Sequence, residues 1–202
     1  MNDREWDKRL RIRTTGREDE SDPNYSPYEP TPYPVLRRLA DSGLVTRRSR
    51  LIDYGCGKGR VAFFLASEVG CRVTGIDHSQ KLIDLAVENR RGCRAGDRVR
   101  LIRALAEQYE PADEDAFFFF NPFSDRVFGG VLRRIAASRA ALPRPVTLLM
   151  YYPSEEYLAV LEAEPALRRL DPIDCRDLFG GKNPRERIEV WRYADAEEEP
   201  AP

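Results

Sequence analysis

The chain has 202 residues, enough for a single domain that buries its own core without staples. Its 33 basic and 34 acidic residues nearly cancel to a net charge of −1, which argues against a generic nucleic-acid binder; no duplex nucleic acid is expected as a partner. The cysteines Cys56, Cys71, Cys93 and Cys175 form no C-x-x-C pair and are joined by a lone histidine, His78, so no metal site is expected and the thiols read as reduced, in a cytoplasmic protein.

The opening "MNDREWDKRLRIR" has no apolar stretch of the kind a signal peptide needs, and no later run is long enough to span a membrane. Residues 1–22 are dense in charge and are expected to form a partly flexible extension outside the core. Next, Tyr25 to Pro34 holds four prolines and three tyrosines in ten residues. Prolines stiffen the backbone and tyrosines present apolar area with a polar tip, so residues 23–34 suit a lid, followed by a helix over 35–42. A single domain is expected over 23–193. The acidic "ADAEEEPAP" at 194–202 is expected to be a disordered tail.

From residue 50 the pattern alternates. "RLIDYG" reads as a buried strand. "RVAFFLASEVG" reads as a helix closed by glycine. "CRVTGID" is a strand, and "SQKLIDLAVENRRG" a helix with Ser79 as its N-cap. "RVRLIRA" is a strand, with a short turn or helix near 106–110. The run at 116–120 is a strand that ends in "NPF". The following helix from Ser124 carries Gly129 and Gly130, which weaken it. "VTLLMYYP", "LRRLDPIDC" and "RERIEVWRY" are strands, with a helix, "SEEYLAVLEAE", after the first. The alternation predicts an α/β, doubly wound and mainly parallel sheet. The last two strands have only a loop between them, which predicts an antiparallel member.

In such sheets ligands bind beyond the carboxyl ends of the strands. "LIDYGCGKGR" delivers Gly55, Gly57 and Gly59 there, directly before a helix. A dinucleotide fingerprint would place the third glycine one position later, and the triphosphate loop needs a Lys-Ser or Lys-Thr after its last glycine. Asp53, two residues before the first glycine, would repel a pyrophosphate but suits a ligand with an ammonium or sulfonium. Asp77 ends the next strand 18 residues after Gly59, where a carboxylate can accept both ribose hydroxyls.

With these motifs, residues 50 to about 152 resemble a class I S-adenosylmethionine-dependent methyltransferase of the small stand-alone bacterial type. The resemblance implies a Rossmann-like sheet of seven strands in the order 3-2-1-4-5-7-6, strand 7 antiparallel. It implies S-adenosyl-L-methionine as cofactor. Gly55, Gly57 and Gly59, with Cys56 between them, would lie beside the methionyl part, Asp53 near its ammonium and Asp77 on the ribose. His78 would pack on adenine, with Ala106 and Glu107 also near it; Leu105 stands where that family commonly has a polar residue. "NPF" is similar to the N-P-P-[YF] motif of amino-methylating members with one proline missing. By that likeness Asn121, which also borders the cofactor, and the Pro122 carbonyl would orient an acceptor nitrogen, and Phe123 would wall the pocket. Asp125, Tyr28 or Tyr33 would help remove a proton. Tyr151 and Tyr152 would form another wall. The expected function is in-line methyl transfer to a nitrogen of a small molecule or protein side chain. A non-catalytic module that binds the cofactor, and a nucleotide-dependent oxidoreductase, are the alternatives; the glycine spacing and the absence of a Tyr-x-x-x-Lys set oppose the latter.

Overall fold

Seven strands, four to eight residues long, pair into one sheet. The computed structural model describes residues 1–19 and 21–193; the acidic tail at 194–202 lies outside the described residues. The strands are β1 (Arg50–Tyr54), β2 (Arg72–Asp77), β3 (Val99–Arg103), β4 (Ala116–Phe119), β5 (Thr147–Tyr151), β6 (Leu167–Asp174) and β7 (Arg187–Tyr193). Their order is β3-β2-β1-β4-β5-β7-β6. β1 to β5 run parallel, and β7 is antiparallel to both β5 and β6. The expected topology is therefore the observed one. β6 is an edge strand, which is where Pro172, lacking a donor, and the register shift between Leu170 and Ile173 are tolerated.

Helices cover both faces. The helices are α1 (Asp3–Leu10), α2 (Tyr33–Asp41), α3 (Arg60–Glu68), α4 (Gln80–Gly92), α5 (Asp125–Ala141) and α6 (Glu155–Glu162). Ser79, Ser124 and Ser154 each cap a helix by accepting a main-chain N–H. One apolar cluster gathers α1, α2 and α3 on one face of the sheet, around Phe63, Phe64, Leu36 and Leu51. The other joins α5 and α6 to the opposite face, around Phe117, Phe119, Phe128 and Tyr157. One glycine of the α5 pair has a packing reason. A Cβ on Gly130 would come within 2.9 Å of the Glu107 Cβ, so the bare backbone is what lets α5 approach the short turn at 106–108. Among the described residues no helix is long and apolar enough to cross a membrane.

The first 14 residues depart from expectation. α1 starts with a capping box between Asn2 and Glu5, and Trp6, Leu10 and Ile12 join the core. The buried Asp7 carboxylate accepts from the Thr14 N–H and hydroxyl, both at 2.7 Å, from the Thr15 N–H at 3.2 Å and from the Tyr33 hydroxyl at 2.6 Å. Charge density suggested a flexible extension because it counts residues without placing them. Here most charges face solvent or one another, Asp7 is buried among hydrogen-bond donors, and three large apolar side chains are buried.

Candidate functional site

A cavity of about 640 Å³ opens at the carboxyl ends of β1, β2, β4 and β5. At the end of β1 the chain turns through three glycines with positive φ. Side chains there have no room: a Cβ on Gly55 would lie 2.2 Å from Pro122, and one on Gly57 would lie 2.2 Å from the Tyr28 ring. The main chain of Gly55 and Cys56 donates to the Ile76 carbonyl at 2.8 and 2.9 Å, which ties the loop to β2. Gly59 is the N-cap of α3 at φ 86°. Cys56 is buried, and its thiol fills the space a side chain at Gly75 would take.

Two carboxylates sit under this loop. Asp77 accepts the Gly57 N–H at 2.8 Å and the Ser79 N–H at 2.9 Å, so it braces the glycine loop and the start of α4 together. Asp53 is nearly sealed, and its Oδ2 has no hydrogen-bond partner. Burial, reinforced by the Asp77 charge and opposed by a main-chain bond from Ala62, pushes its carboxyl up to about 8. Arg60, the first residue of α3, also lines the cavity. Its guanidinium donates to the Thr14 hydroxyl at 2.8 Å, Asp3 at 2.7 Å and the Thr31 carbonyl at 3.2 Å, and Nη2 is buried with no partner. Asp53 Oδ2 and Arg60 Nη2, two unsatisfied atoms of groups lining one cavity, fit a ligand that carries both an ammonium and a carboxylate. The methionyl end of S-adenosylmethionine is such a ligand. Arg60 was not singled out from the sequence; its partner Asp3 is 57 residues away, and no local pattern marks an arginine as buried.

Residues 22–28 cross this cavity as a strap. The Tyr25 ring stacks on His78 with centroids 3.8 Å apart, and its hydroxyl reaches Glu107 at 3.4 Å. The Ser26 N–H donates to the Pro122 carbonyl at 3.0 Å and its hydroxyl to the Asn121 carbonyl at 2.6 Å, while Ser124 N–H donates to the Asn24 carbonyl at 2.8 Å. Tyr25 thus touches two of the residues expected around adenine; Ala106, the third, is buried beside them. Leu105 is exposed.

β4 ends in a strained turn: Asn121 has φ 41°, and Tyr152, at the end of β5, has φ 51°. Asn121 Nδ2 donates to the Tyr152 carbonyl at 2.7 Å and Oδ1 accepts the Ser154 N–H at 3.2 Å, so the amide laces the two strand ends. Phe123 is buried edge-on to Tyr54 and Phe119 and borders the cavity. Three expected proton acceptors are corrected. Tyr33 is in the core, bonded to Asp7, and does not reach the cavity. Tyr28 lines it, but its hydroxyl donates to the Thr14 carbonyl at 2.6 Å and burial drives its ionisation far upward. Asp125 is exposed in the first turn of α5, outside the lining. Tyrosine spacing cannot separate a lid from a core residue, because both use the same apolar ring.

Sheet order, glycine loop and the acids at two neighbouring strand ends are those of the class I methyltransferase fold, and they fit S-adenosylmethionine as the cofactor. The model of a methyltransferase domain matches residues 51–138. The chain is 40% identical over 62 residues to the histone-lysine N-methyltransferase, H3 lysine-79 specific, of Dictyostelium discoideum; the match takes in 31% of this chain and 3% of that protein. Among solved structures it is similar to the mitomycin 7-O-methyltransferase MmcR, at TM-score 0.59 and 17% identity, over 80% of this chain and 53% of that one. It is also similar to an RNA methyltransferase from Salinibacter ruber in complex with S-adenosyl-L-homocysteine, at TM-score 0.56 and 21% identity, over 86% and 98% of the two chains.

Proposed function

We propose that the protein transfers a methyl group to a nitrogen of a small molecule or protein side chain. The observation that carries this reading is the shared cavity, which brings Asp53 and Arg60, each with one unsatisfied buried atom, and the Asn121-Pro122-Phe123 turn to one space. The relative named as a histone-lysine N-methyltransferase supports a nitrogen acceptor. When bound, S-adenosylmethionine supplies an activated methyl on a sulfonium. Asp53 would hold its ammonium and Asp77 its ribose. The strained turn would aim the acceptor, because Asn121 Oδ1 and the Pro122 carbonyl each keep a second lone pair beyond the bond they accept. Alignment contributes more here than acid-base chemistry. The strap would act as the lid: Tyr25 would leave His78 and Glu107 as the cofactor enters, and Ser26 would release the Pro122 carbonyl as the acceptor arrives.

Calorimetric titration with S-adenosylmethionine and S-adenosylhomocysteine tests the reading, followed by labelled-methyl transfer to a panel of amines. Micromolar binding, weakened at least about tenfold in Asp77→Ala, with faster hydrogen exchange at Tyr25 to Tyr28 in the complex, is expected. A folded protein that binds neither compound overturns it.

A further inference from the structure

On the β5–β7 side of the cavity lies a recess that the cofactor residues do not use. Its walls are Phe120, Tyr151 and Tyr152. Phe120 and Tyr151 have ring centroids 4.8 Å apart, and Tyr152 stands nearly perpendicular to Phe120 at 6.5 Å. Phe179, exposed in the loop before β7, borders the same cavity. Tyr152 is held rigidly: its carbonyl accepts from Asn121, and its hydroxyl accepts from Asn183 Nδ2 at 2.8 Å.

Two charges line this recess, and they differ in what they have left to offer. Arg185 donates to the Pro153 carbonyl at 3.1 Å and the Tyr152 carbonyl at 3.3 Å, and its guanidinium lies 4.2 Å from the centre of the Tyr152 ring. It is a strut that fixes the wall. Glu186 accepts one bond, from the Tyr151 hydroxyl at 2.8 Å on Oε2. Among the described residues no donor meets Oε1. A carboxylate can accept about four hydrogen bonds, so Glu186 retains most of its capacity and faces aromatic rings. Ring faces attract cations, and a carboxylate beside them adds a direct countercharge.

We propose that this recess is the acceptor subsite and that it takes an alkylammonium group: Glu186, oriented by Tyr151, meets the charge and takes the proton whose loss frees the nitrogen lone pair to attack the methyl, with S-adenosylhomocysteine leaving, while Phe120, Tyr151 and Tyr152 pack on the carbons beside it. The inference rests on the methyl-transfer reading and narrows it to aliphatic amines, as against nucleobases and carboxylates. The link to the transfer site is short, one hydrogen bond and one peptide bond. Tyr152 is bonded to Asn121, and Phe120 immediately precedes Asn121.

The test uses the full chain and three probes of one shape, n-butylammonium, n-butanol and butyrate, at constant ionic strength, read by saturation-transfer NMR. The wild type is expected to bind n-butylammonium about tenfold more tightly than either other probe. Glu186→Gln is expected to erase that preference, and Tyr151→Phe, which keeps the carboxylate but frees it to turn, to reduce it about threefold. Both variants are expected to keep S-adenosylhomocysteine binding. A wild type that prefers butyrate assigns the recess to an anion through Arg185 and overturns the proposal, with no variant needed. A cation preference that survives in Glu186→Gln overturns it as well. A wild type that selects n-butylammonium but binds no S-adenosylhomocysteine leaves the cation subsite standing and sinks the methyl-transfer reading instead.

Discussion

Asp53 shows what a single side chain contributes at the cofactor end of the cavity. Its carboxyl is held at about 8 by burial first and by the Asp77 charge second. From about pH 4, where an unfolded aspartate ionises, up to about 8 the folded chain keeps a proton that the unfolded chain has released. Stability therefore falls as pH rises through that window and levels off above it. This is the reverse of the usual salt-bridged aspartate. Asp53→Asn should flatten the pH dependence and raise the stability of the unliganded protein near pH 8 by roughly 1–3 kcal/mol, the cost of an unsatisfied buried polar group. Urea midpoints near pH 5 and near pH 8 check it, in the absence of cofactor. The same variant should bind S-adenosylmethionine more weakly, since the amide offers no charge to an ammonium. An Asp53→Asn protein that keeps the full pH dependence would move its source to another group. The aspartate itself was legible beside the glycines; its unpaired oxygen was not, because solvent exclusion depends on β2, α3 and the strap together.

At the scale of elements, the two glycines of α5 separate propensity from packing. A methyl on Gly129 meets only Arg133 Nη1, at 3.7 Å, whereas one on Gly130 meets Glu107 Cβ at 2.9 Å. Gly129→Ala should stabilise the protein by about 0.5–1 kcal/mol, the helix propensity of alanine over glycine. Gly130→Ala should instead destabilise it by about 1 kcal/mol or more, as overpacking outweighs the same propensity gain. Urea unfolding of the two variants decides it, and equal effects would mean that the turn at 106–108 yields. From the sequence both glycines counted equally against the helix. Short apolar runs placed β1, β2, β3 and β4 within a residue or two, and in β1 and β4 nearly every side chain is buried. They could not show that Tyr33 opens α2 instead of hanging in the lid, since α2 begins at Tyr33 with Pro34 in its first turn, a position where proline is well tolerated.

For the molecule as a whole, the N-terminal segment is structural. Trp6, Leu10 and Ile12 are buried, and such side chains stabilise by roughly 1.5–3 kcal/mol each. Removing residues 1–14 would also strip Arg60 of Asp3 and Thr14 and leave Tyr33 without Asp7. The sum is comparable to the whole stability of a domain, about 5–15 kcal/mol. The truncated chain should therefore lose its cooperative thermal transition and its near-ultraviolet circular dichroism. A truncated protein with an unchanged transition would restore the flexible-extension reading. The glycine loop would suffer too, because Tyr28 packs on Gly57 and hydrogen-bonds Thr14.

The sequence by itself determined the α/β alternation through strand and helix periods, and its glycine run at one strand end and acid at the next carried the resemblance that implied the strand order and the cofactor class. It also marked the antiparallel end of the sheet, since two strands without a helix between them can pair only that way. Tertiary structure alone decided which of the tyrosines face the cavity, that Tyr25 sits on His78, that Arg60 and Asp53 share a wall, and that Glu186 meets Tyr151. Each of these joins residues far apart in the chain, and their meeting follows from how helices and the strap pack on the sheet, which no local spacing encodes.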